Sequence, residues 1–167
     1  MRTLVVIRHA KAEQYAASDF ERELTDRGRA DAAEAGRWLA SEGVVPGAAY
    51  VSPAARTRGT WAAIAEAAGW DLTPTYDRGL YGTDEEGVLE LVQLTDEAVD
   101  TVVVIGHNPT IEMVVQMLDD GEGPADVAES LAIGYPTSAV TVFDVDVPWP
   151  EVGQMTARPR AFHVGRS

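Results

Sequence analysis

Two of the three histidines stand where buried strands are expected to end. His9 follows the apolar run 4–7, and His107 follows the β-branched run 101–105. A neutral imidazole is a nucleophile, and the guanidinium of the adjacent Arg8 can hold a phosphoryl group through two parallel hydrogen bonds. Phosphoryl transfer needs such groups because the negative charge on the transferring oxygens must be stabilised. The pair therefore indicates phosphoryl-transfer chemistry, although either histidine alone is more typical of a structural residue.

The few cationic side chains concentrate early in a strongly acidic chain. The formal net charge is −14, from 13 Lys and Arg against 27 Asp and Glu. Arg8, Arg22 and Arg56 lie within the first 60 residues, and the one lysine, Lys11, follows the first histidine closely. These arginines are either ordinary surface residues or a subset that forms a positive pocket for an anionic group. The acidic surface disfavours nucleic acid and anionic lipid as partners.

Length and composition limit the classes of protein to consider. The 167 residues suit one domain, 1–167, with a substantial core. No apolar stretch approaches the roughly 20 residues of a membrane helix, and the start is too short and too charged for a secretory signal, so we expect a cytoplasmic protein. The absence of cysteine excludes disulfides, thiolate catalysis and Cys-based metal sites. No metal-binding or Walker motif occurs, and the oligomeric state is not readable.

Predicted strands and helices alternate along the chain. We expect strands at 3–7, at Tyr50-Val51, at 101–105 and at 139–145, and an edge strand over 154–164. Helices are expected over 26–42 with Thr25 as N-cap, from Pro53 to Gly69 with Ser52 as N-cap, after the capping box Thr83–Glu86, and after Asn108-Pro109 through Leu118. We expect loops over 76–82 and over the acidic segment 119–130.

This order of elements predicts an α/β fold. Strands separated by helices form a mostly parallel sheet covered on both faces, which is a three-layer α/β/α sandwich. Ligands in such folds bind beyond the carboxyl ends of the strands. Arg8-His9, Ser52 and His107 each follow a predicted strand directly. We therefore expect these residues to converge at one edge of the sheet.

Four motifs in this order resemble those of the histidine phosphatase superfamily, and within it the short SixA-like phosphohistidine phosphatases. They are Arg8-His9, Leu24-Thr25-x-x-Gly28, Ser52-Pro53-x-x-Arg56-x-x-x-Thr60 and Gly106-His107-Asn108-Pro109. The resemblance covers residues 3 to about 118. It implies a phosphoglycerate mutase-like fold with a minimal cap. One position departs from the superfamily pattern, because Ala10 stands where glycine usually follows the histidine.

The resemblance also implies roles for individual residues. His9 is the nucleophile that becomes phosphorylated, and water then hydrolyses the phosphohistidine intermediate. Arg8, Arg56 and His107 hold the phosphoryl oxygens, and Arg22 is a further arginine of the phosphate pocket. No metal and no organic cofactor are implied. The substrate implied by the SixA-like group is phosphohistidine on a protein.

The general acid is an open question at this point. Superfamily members that act on phosphate esters protonate the leaving alkoxide with a carboxylic acid, for which Asp84 and Glu86 are the candidates here. Their other interpretation is ordinary helix capping and dipole matching. Phosphohistidine needs an acid less, because its leaving imidazole has a conjugate-acid pKa of about 6.5.

Three functions remain open from the sequence. The first is a phosphatase for phosphohistidine proteins, and the second is a phosphomonoesterase for a small phosphorylated metabolite that uses Asp84 or Glu86 as its acid. The third is a phosphate-binding module without catalysis, which has no use for a nucleophilic His9. A phosphoglycerate mutase is disfavoured by the short chain, which leaves little room for segments inserted over the pocket.

Overall fold

A computed structural model describes all 167 residues and shows a six-stranded mixed sheet at the centre of the molecule. Its strands are β1 (Arg2–Arg8), β2 (Ala48–Val51), β3 (Thr75–Tyr76), β4 (Thr101–Gly106), β5 (Ala139–Val145) and β6 (Ala157–Val164). They lie in the order β3-β2-β4-β1-β5-β6. The pairings from β3 through β1 are parallel, and β5 and β6 add antiparallel pairings at the other side. The sheet is therefore mostly parallel, as the sequence predicts.

Helices cover both faces of the sheet. They are α1 (Asp26–Ser41), α2 (Ala55–Ala68), α3 (Glu85–Gln93), α4 (Thr110–Leu118) and α5 (Ala125–Ile133). Successive residues of β1 alternate between two cores, because side chains of a strand point to opposite faces. Leu4 and Val6 pack with α3 and α4, whereas Val5 and Ile7 pack with α1 and α2. This confirms the three-layer α/β/α sandwich.

Most of the predicted elements are present at the expected places. The strands 3–7, 101–105 and 139–145 correspond to β1, β4 and β5, and β6 is the predicted edge strand. Thr25 is the N-cap of α1, since its Oγ1 accepts a hydrogen bond from the Gly28 amide at 2.9 Å. The central part of the sheet and the start of α1 were thus readable from apolar runs and capping chemistry.

The starts of three helices differ from the prediction. α2 begins at Ala55 rather than Pro53, and Ser52 is not its N-cap. Asp84, not Thr83, caps α3 by accepting from the Gly87 amide at 3.1 Å. α4 begins at Thr110, although Asn108 Oδ1 still accepts from the amide of Glu112 at 3.2 Å. Only α3 has a different polar cap from the predicted one, because the residues directly before α2 and α4 are Ala54 and Pro109, which have no capping side chain.

The prediction of a loop over the whole of 119–130 is wrong, because α5 begins at Ala125. Val127 is buried, and Leu131, four residues later on the same helix face, packs against the core that contains α3 and α4. The two acidic residues of the helix, Asp126 and Glu129, are exposed. Two apolar positions were too weak a pattern to predict this helix. No helix of the chain combines the length and the apolar character that a membrane crossing requires.

Candidate active site

His9 lies directly after β1 and is only 8% exposed. Its Nδ1 lies 2.7 Å from the carbonyl oxygen of Ala10. A carbonyl oxygen can only accept, so Nδ1 carries the proton and Nε2 keeps its lone pair. Burial lowers the pKa of His9 to about 4; the hydrogen bond to Ala10 opposes this effect, and the charges of Arg56 and Arg8 add to it. The imidazole is therefore neutral near pH 7, with Nε2 available as a nucleophile.

His107 lies beside His9 at the end of β4. The two ring centroids are 5.3 Å apart, and His107 Nε2 lies 2.7 Å from Ser52 Oγ, just beyond β2. Burial, and after it the charge of Arg56, lowers the pKa of His107 to about 3. Because β2, β4 and β1 are neighbours in the sheet, their carboxyl ends bring these three side chains together. The structure thus shows the convergence that the sequence predicts.

Arg8 is anchored from the carboxyl-terminal part of the chain. One of its terminal nitrogens donates to the carbonyl of Tyr135 at 3.1 Å, and Asn108 Nδ2 donates to the same carbonyl at 2.9 Å. The buried Tyr135 hydroxyl in turn donates to the Val6 carbonyl at 2.7 Å. Burial lowers the pKa of Arg8, and the charge of Glu112 opposes this shift. Sequence reasoning missed Tyr135, because a backbone carbonyl carries no sequence signal.

Arg56 and Arg22 meet on one carboxylate. Arg56, 6% exposed, donates from its two terminal nitrogens to the carbonyl oxygen of Asp19 at 2.8 Å and to Asp19 Oδ2 at 3.1 Å. Arg22 donates from Nε to the Glu13 carbonyl at 2.7 Å and from a terminal nitrogen to Asp19 Oδ1 at 3.0 Å. The two arginines from different segments are therefore held next to each other.

Asp19 and Tyr81 complete this cluster, and sequence reasoning missed both. The Tyr81 hydroxyl donates to Asp19 Oδ2 at 2.7 Å, and its ring lies edge-on to His107 with centroids 5.6 Å apart. The hydrogen bonds from Tyr81 and Arg22 hold the pKa of Asp19 well below its usual range. The same bond raises the pKa of Tyr81. Both residues lie in loops outside the four motifs, so nothing in the sequence marked them.

Buried contacts fix the loop that follows His9. The amide of Ala10 donates to Thr60 Oγ1 at 3.0 Å, and that hydroxyl donates to the Arg56 carbonyl at 2.7 Å. A Cβ added to Gly28 would lie 2.0 Å from the Lys11 carbonyl oxygen, so this glycine lets α1 approach the loop. The conspicuous Gly28 and Thr60 of the motifs thus have packing roles next to the histidine.

Asp84 and Glu86 lie apart from these contacts. Asp84 accepts from the Gly87 amide as the cap of α3, and Glu86 is exposed in the first turn of that helix. Neither carboxylate forms a hydrogen bond or ion pair with the two histidines or the arginines. The carboxylate that does contact the arginines is Asp19.

The arrangement is suited to an anion with several oxygens. Three guanidinium groups and two neutral imidazoles come together from four segments, which contain Arg8-His9, Arg22, Arg56 and His107. Arg8 Nε, Arg56 Nε and His107 Nδ1 are buried and have no partner within the protein. Buried polar nitrogens of this kind are expected to find acceptors in a ligand. No group of three or more His, Asp or Glu side chains is placed to hold a metal ion.

Comparisons with known proteins agree with this geometry. The sequence profile of the histidine phosphatase superfamily (branch 1) matches residues 4–84. An uncharacterized protein of Mycobacterium tuberculosis is 34% identical over 96% of this chain and 100% of its own length. The phosphohistidine phosphatase SixA of Escherichia coli is 32% identical over 71% of this chain and 75% of its own length.

A solved structure extends the likeness over almost the whole fold. The protein from Nakamurella multipartitia that is provisionally named phosphohistidine phosphatase SixA superposes with a TM-score of 0.88 at 29% identity, covering 99% of this chain and 97% of the other. Sequence and structure therefore agree beyond the four motifs, including the part after residue 118. The chain belongs to the histidine phosphatase superfamily and is a SixA-like phosphatase.

Proposed function

We propose that this phosphatase removes the phosphoryl group from phosphohistidine on a protein, through a phosphorylated His9. The observation that carries the proposal is the bond from His9 Nδ1 to the Ala10 carbonyl, which leaves Nε2 unprotonated beside Arg8 and Arg56. A neutral nitrogen nucleophile among cations has little use in a module that only binds phosphate. We therefore assign catalysis rather than binding alone.

The reaction has two steps in this proposal. The lone pair of His9 Nε2 forms a bond to phosphorus while the bond between phosphorus and the substrate's imidazole nitrogen breaks. That nitrogen keeps the electron pair, and the substrate ring takes a proton from solvent on its other nitrogen, so that it leaves as neutral imidazole. Water then attacks phosphorus, the bond to His9 breaks, and inorganic phosphate and a proton are released. Arg8, Arg56 and His107 hold the phosphoryl oxygens throughout, and Arg22 adds positive charge.

The carboxylates around the site are consistent with phosphohistidine as the substrate. An imidazole leaves readily, because its conjugate acid has a pKa of about 6.5, whereas an alkoxide needs a proton donor. Asp84 is engaged as a helix cap, and the arginine-bound Asp19 is held ionised. The names of the relatives, SixA phosphohistidine phosphatases, support the same substrate class.

A phosphomonoesterase for a small metabolite is the second candidate. It would require Asp84 or Glu86 to protonate the leaving oxygen, and the exposure of Glu86 at the start of α3 leaves its carboxyl free for this role. The double substitution Asp84→Asn with Glu86→Gln tests this candidate. It lowers the rate on esters if either carboxyl is the acid, and leaves the rate on phosphohistidine nearly unchanged.

The decisive experiment compares kcat/KM on a phosphohistidine-bearing protein with kcat/KM on a panel of small phosphate esters. We expect a much higher value on the phosphohistidine protein, and loss of that activity in His9→Ala. A higher kcat/KM on one ester, with the double variant impaired on it, would replace the first proposal with the second. Failure of the wild type to release phosphate from any donor would favour a binding module.

A further inference from the structure

Asp19 forms hydrogen bonds with three segments around the site. Its Oδ1 accepts from Arg22 at 3.0 Å, and its Oδ2 accepts from Arg56 at 3.1 Å and from the Tyr81 hydroxyl at 2.7 Å. Its backbone carbonyl accepts a second bond from Arg56 at 2.8 Å. The partners come from the loop before α1, from the first turn of α2 and from the segment before α3. One short side chain thus sets the relative positions of all three.

Arg56 depends on Asp19 because it is buried. All the hydrogen bonds of its guanidinium go to Asp19, and its Nε is buried without a partner. A buried cation that loses its acceptor is left uncompensated and tends to move. Asp19 therefore holds the two terminal nitrogens of Arg56, each of which keeps a second N–H group for a ligand.

Tyr81 donates to Oδ2 of Asp19, the same carboxylate oxygen that accepts from Arg56. The Tyr81 ring packs edge-on against Phe20, with centroids 5.1 Å apart, and edge-on against His107 at 5.6 Å. The donors around Asp19 keep its pKa low, so that the carboxylate stays ionised through the neutral range. It is thus a permanent acceptor rather than a proton donor. The cluster joins both arginines to His107 through a single carboxylate.

We propose that Asp19 is a positioning residue for phosphoryl transfer, which holds Arg22 and Arg56 so that both act on one phosphoryl group. The inference rests on the proposed function, in which these arginines bind phosphoryl oxygens. A carboxylate that only added negative charge to the pocket would have a different effect. It would weaken phosphate binding, so that its removal would strengthen binding.

The sign of the change in phosphate affinity therefore tests the proposal. We would measure binding of inorganic phosphate by calorimetry to the wild type and to Asp19→Asn, which keeps the shape of the side chain and removes its charge. The positioning role predicts binding about tenfold weaker, the size of one lost charge-assisted hydrogen bond. The control Asp26→Asn removes an exposed carboxylate paired with Arg29 at 3.4 Å, and should leave the affinity unchanged. Unchanged or tighter binding in Asp19→Asn would overturn the proposal.

A second variant covers a failure of Asp19→Asn to fold. Tyr81→Phe removes one of the hydrogen bonds that fix Asp19, and on its own it should weaken phosphate binding about threefold. If Asp19→Asn folds, adding Tyr81→Phe to it should cause little further loss. Losses that simply multiply in the double variant, or no loss in Tyr81→Phe, would contradict a shared positioning role.

Turnover separates this inference from the proposed function. If the wild type binds phosphate and Asp19→Asn weakens that binding, but no phosphohistidine protein is turned over, the function is wrong and the role of Asp19 stands. If the wild type turns over phosphohistidine and Asp19→Asn binds phosphate as tightly as the wild type, only the role of Asp19 is wrong. On the phosphohistidine protein we expect kcat of Asp19→Asn to fall about 10- to 100-fold.

Discussion

At the scale of residues, the site depends on histidines that burial keeps neutral. His9 is almost fully buried, and its Nδ1 is tied to a backbone carbonyl. The nearby guanidinium groups act in the same direction as burial, since each disfavours a second positive charge. The same environment that suits a phosphoryl group therefore also preserves the nucleophile. Because the folded protein disfavours protonation of His9, its free energy of unfolding should fall in acid.

We expect the free energy of unfolding to fall as the pH is lowered through the range 6.5 to about 4. His9 has a pKa of about 4 in the folded protein against 6.5 in the unfolded chain, so the unfolded state binds more protons between these values. Stability attributed to His9 is complete above pH 6.5 and is lost progressively below it. The loss between pH 6.5 and 4.5 should be about 2 kcal/mol for this residue.

Urea unfolding at several pH values measures this loss. The matched variant His9→Asn removes the titrating group and keeps a donor near the Ala10 carbonyl, so its stability should decline less steeply over the same range. Parallel declines for the two proteins would show that His9 titrates normally. That result would contradict the neutral, buried imidazole in the folded state.

The sequence identified some of these residues and could not identify others. His9, Arg8 and His107 stand at the ends of strongly apolar runs, where position follows from strand direction alone. Asp19 and Tyr81 are 62 residues apart and meet only because two loops fold over the same edge of the sheet. Contacts between distant loops leave no periodic or capping signal, so they had to be seen in the structure.

At the scale of elements, the site lies where the first residues of helices pack against the segments that follow strands. The N-cap Thr25 accepts from the Gly28 amide, and the amide of Thr25 donates to the Lys11 carbonyl at 3.0 Å. The start of α1 thus holds the loop that follows His9. Gly28 permits this approach because it has no Cβ.

Replacement of Gly28 with alanine should disturb this junction. The new Cβ would meet the Lys11 carbonyl oxygen at 2.0 Å, so the backbone of α1 or of the loop has to move. We expect a loss of about 1–3 kcal/mol in the free energy of unfolding, together with a lower kcat because the loop directly follows His9. Denaturant unfolding and steady-state kinetics on the same preparation measure the two effects.

Gly153→Ala is the matched control for this prediction. An added Cβ at Gly153 meets no atom within 4 Å, and the residue lies in the connection between β5 and β6. Its stability and kcat should stay close to the wild-type values. Equal behaviour of the two variants would show that the approach of α1 to the loop after His9 is not tight.

Helix starts were predicted less well than strands for a physical reason. Ser52 has the residue type and position of an N-cap, yet its hydroxyl lies 2.7 Å from His107 Nε2 and α2 begins three residues later. A side chain that serves the site is not free to cap the helix beside it. The start of α2 was therefore mispredicted at a residue whose side chain contacts His107.

At the scale of the whole molecule, a positive site sits in a protein of net charge −14. Arginines from β1, α2 and the loop before α1 converge on the histidines, whereas acidic residues predominate elsewhere. We propose that the general field of the protein disfavours polyanions such as nucleic acid, and that only the arginine cluster favours a phosphoryl group. A positive site of this small extent fits the proposed substrate, a single phosphorylated side chain on a protein.

The arginine cluster also predicts how the activity responds to chelators. In the proposed mechanism three guanidinium groups supply the positive charge that stabilises the transferring phosphoryl group, so we expect prolonged treatment with a chelator to leave kcat on phosphohistidine substrate unchanged. The comparison is made with enzyme that has been treated and then given Mg²⁺ or Zn²⁺ again. Loss of activity that a metal restores would contradict a reaction driven by arginine and histidine alone.

The overall architecture was the part of the molecule that the sequence predicted best. Apolar runs such as 101–105 fix central strands, and their alternation with helices fixes the three layers. In the carboxyl-terminal part the sequence predicted β5 and β6 but missed α5, which has few buried positions, and missed Tyr135, which acts through its carbonyl. That part nevertheless anchors Arg8, so the site is a property of the full fold rather than of the motifs alone.

In the proposed reaction the phosphoryl group passes through His9. The most direct measurement is a rapid-quench experiment in alkali, with excess enzyme and a protein carrying radiolabelled phosphohistidine. We predict an acid-labile label that appears transiently on His9 before inorganic phosphate is released, and at least about 1000-fold slower release by His9→Ala. Release of phosphate by His9→Ala at a rate near that of the wild type, with no label on the enzyme at any quench time, would contradict the account.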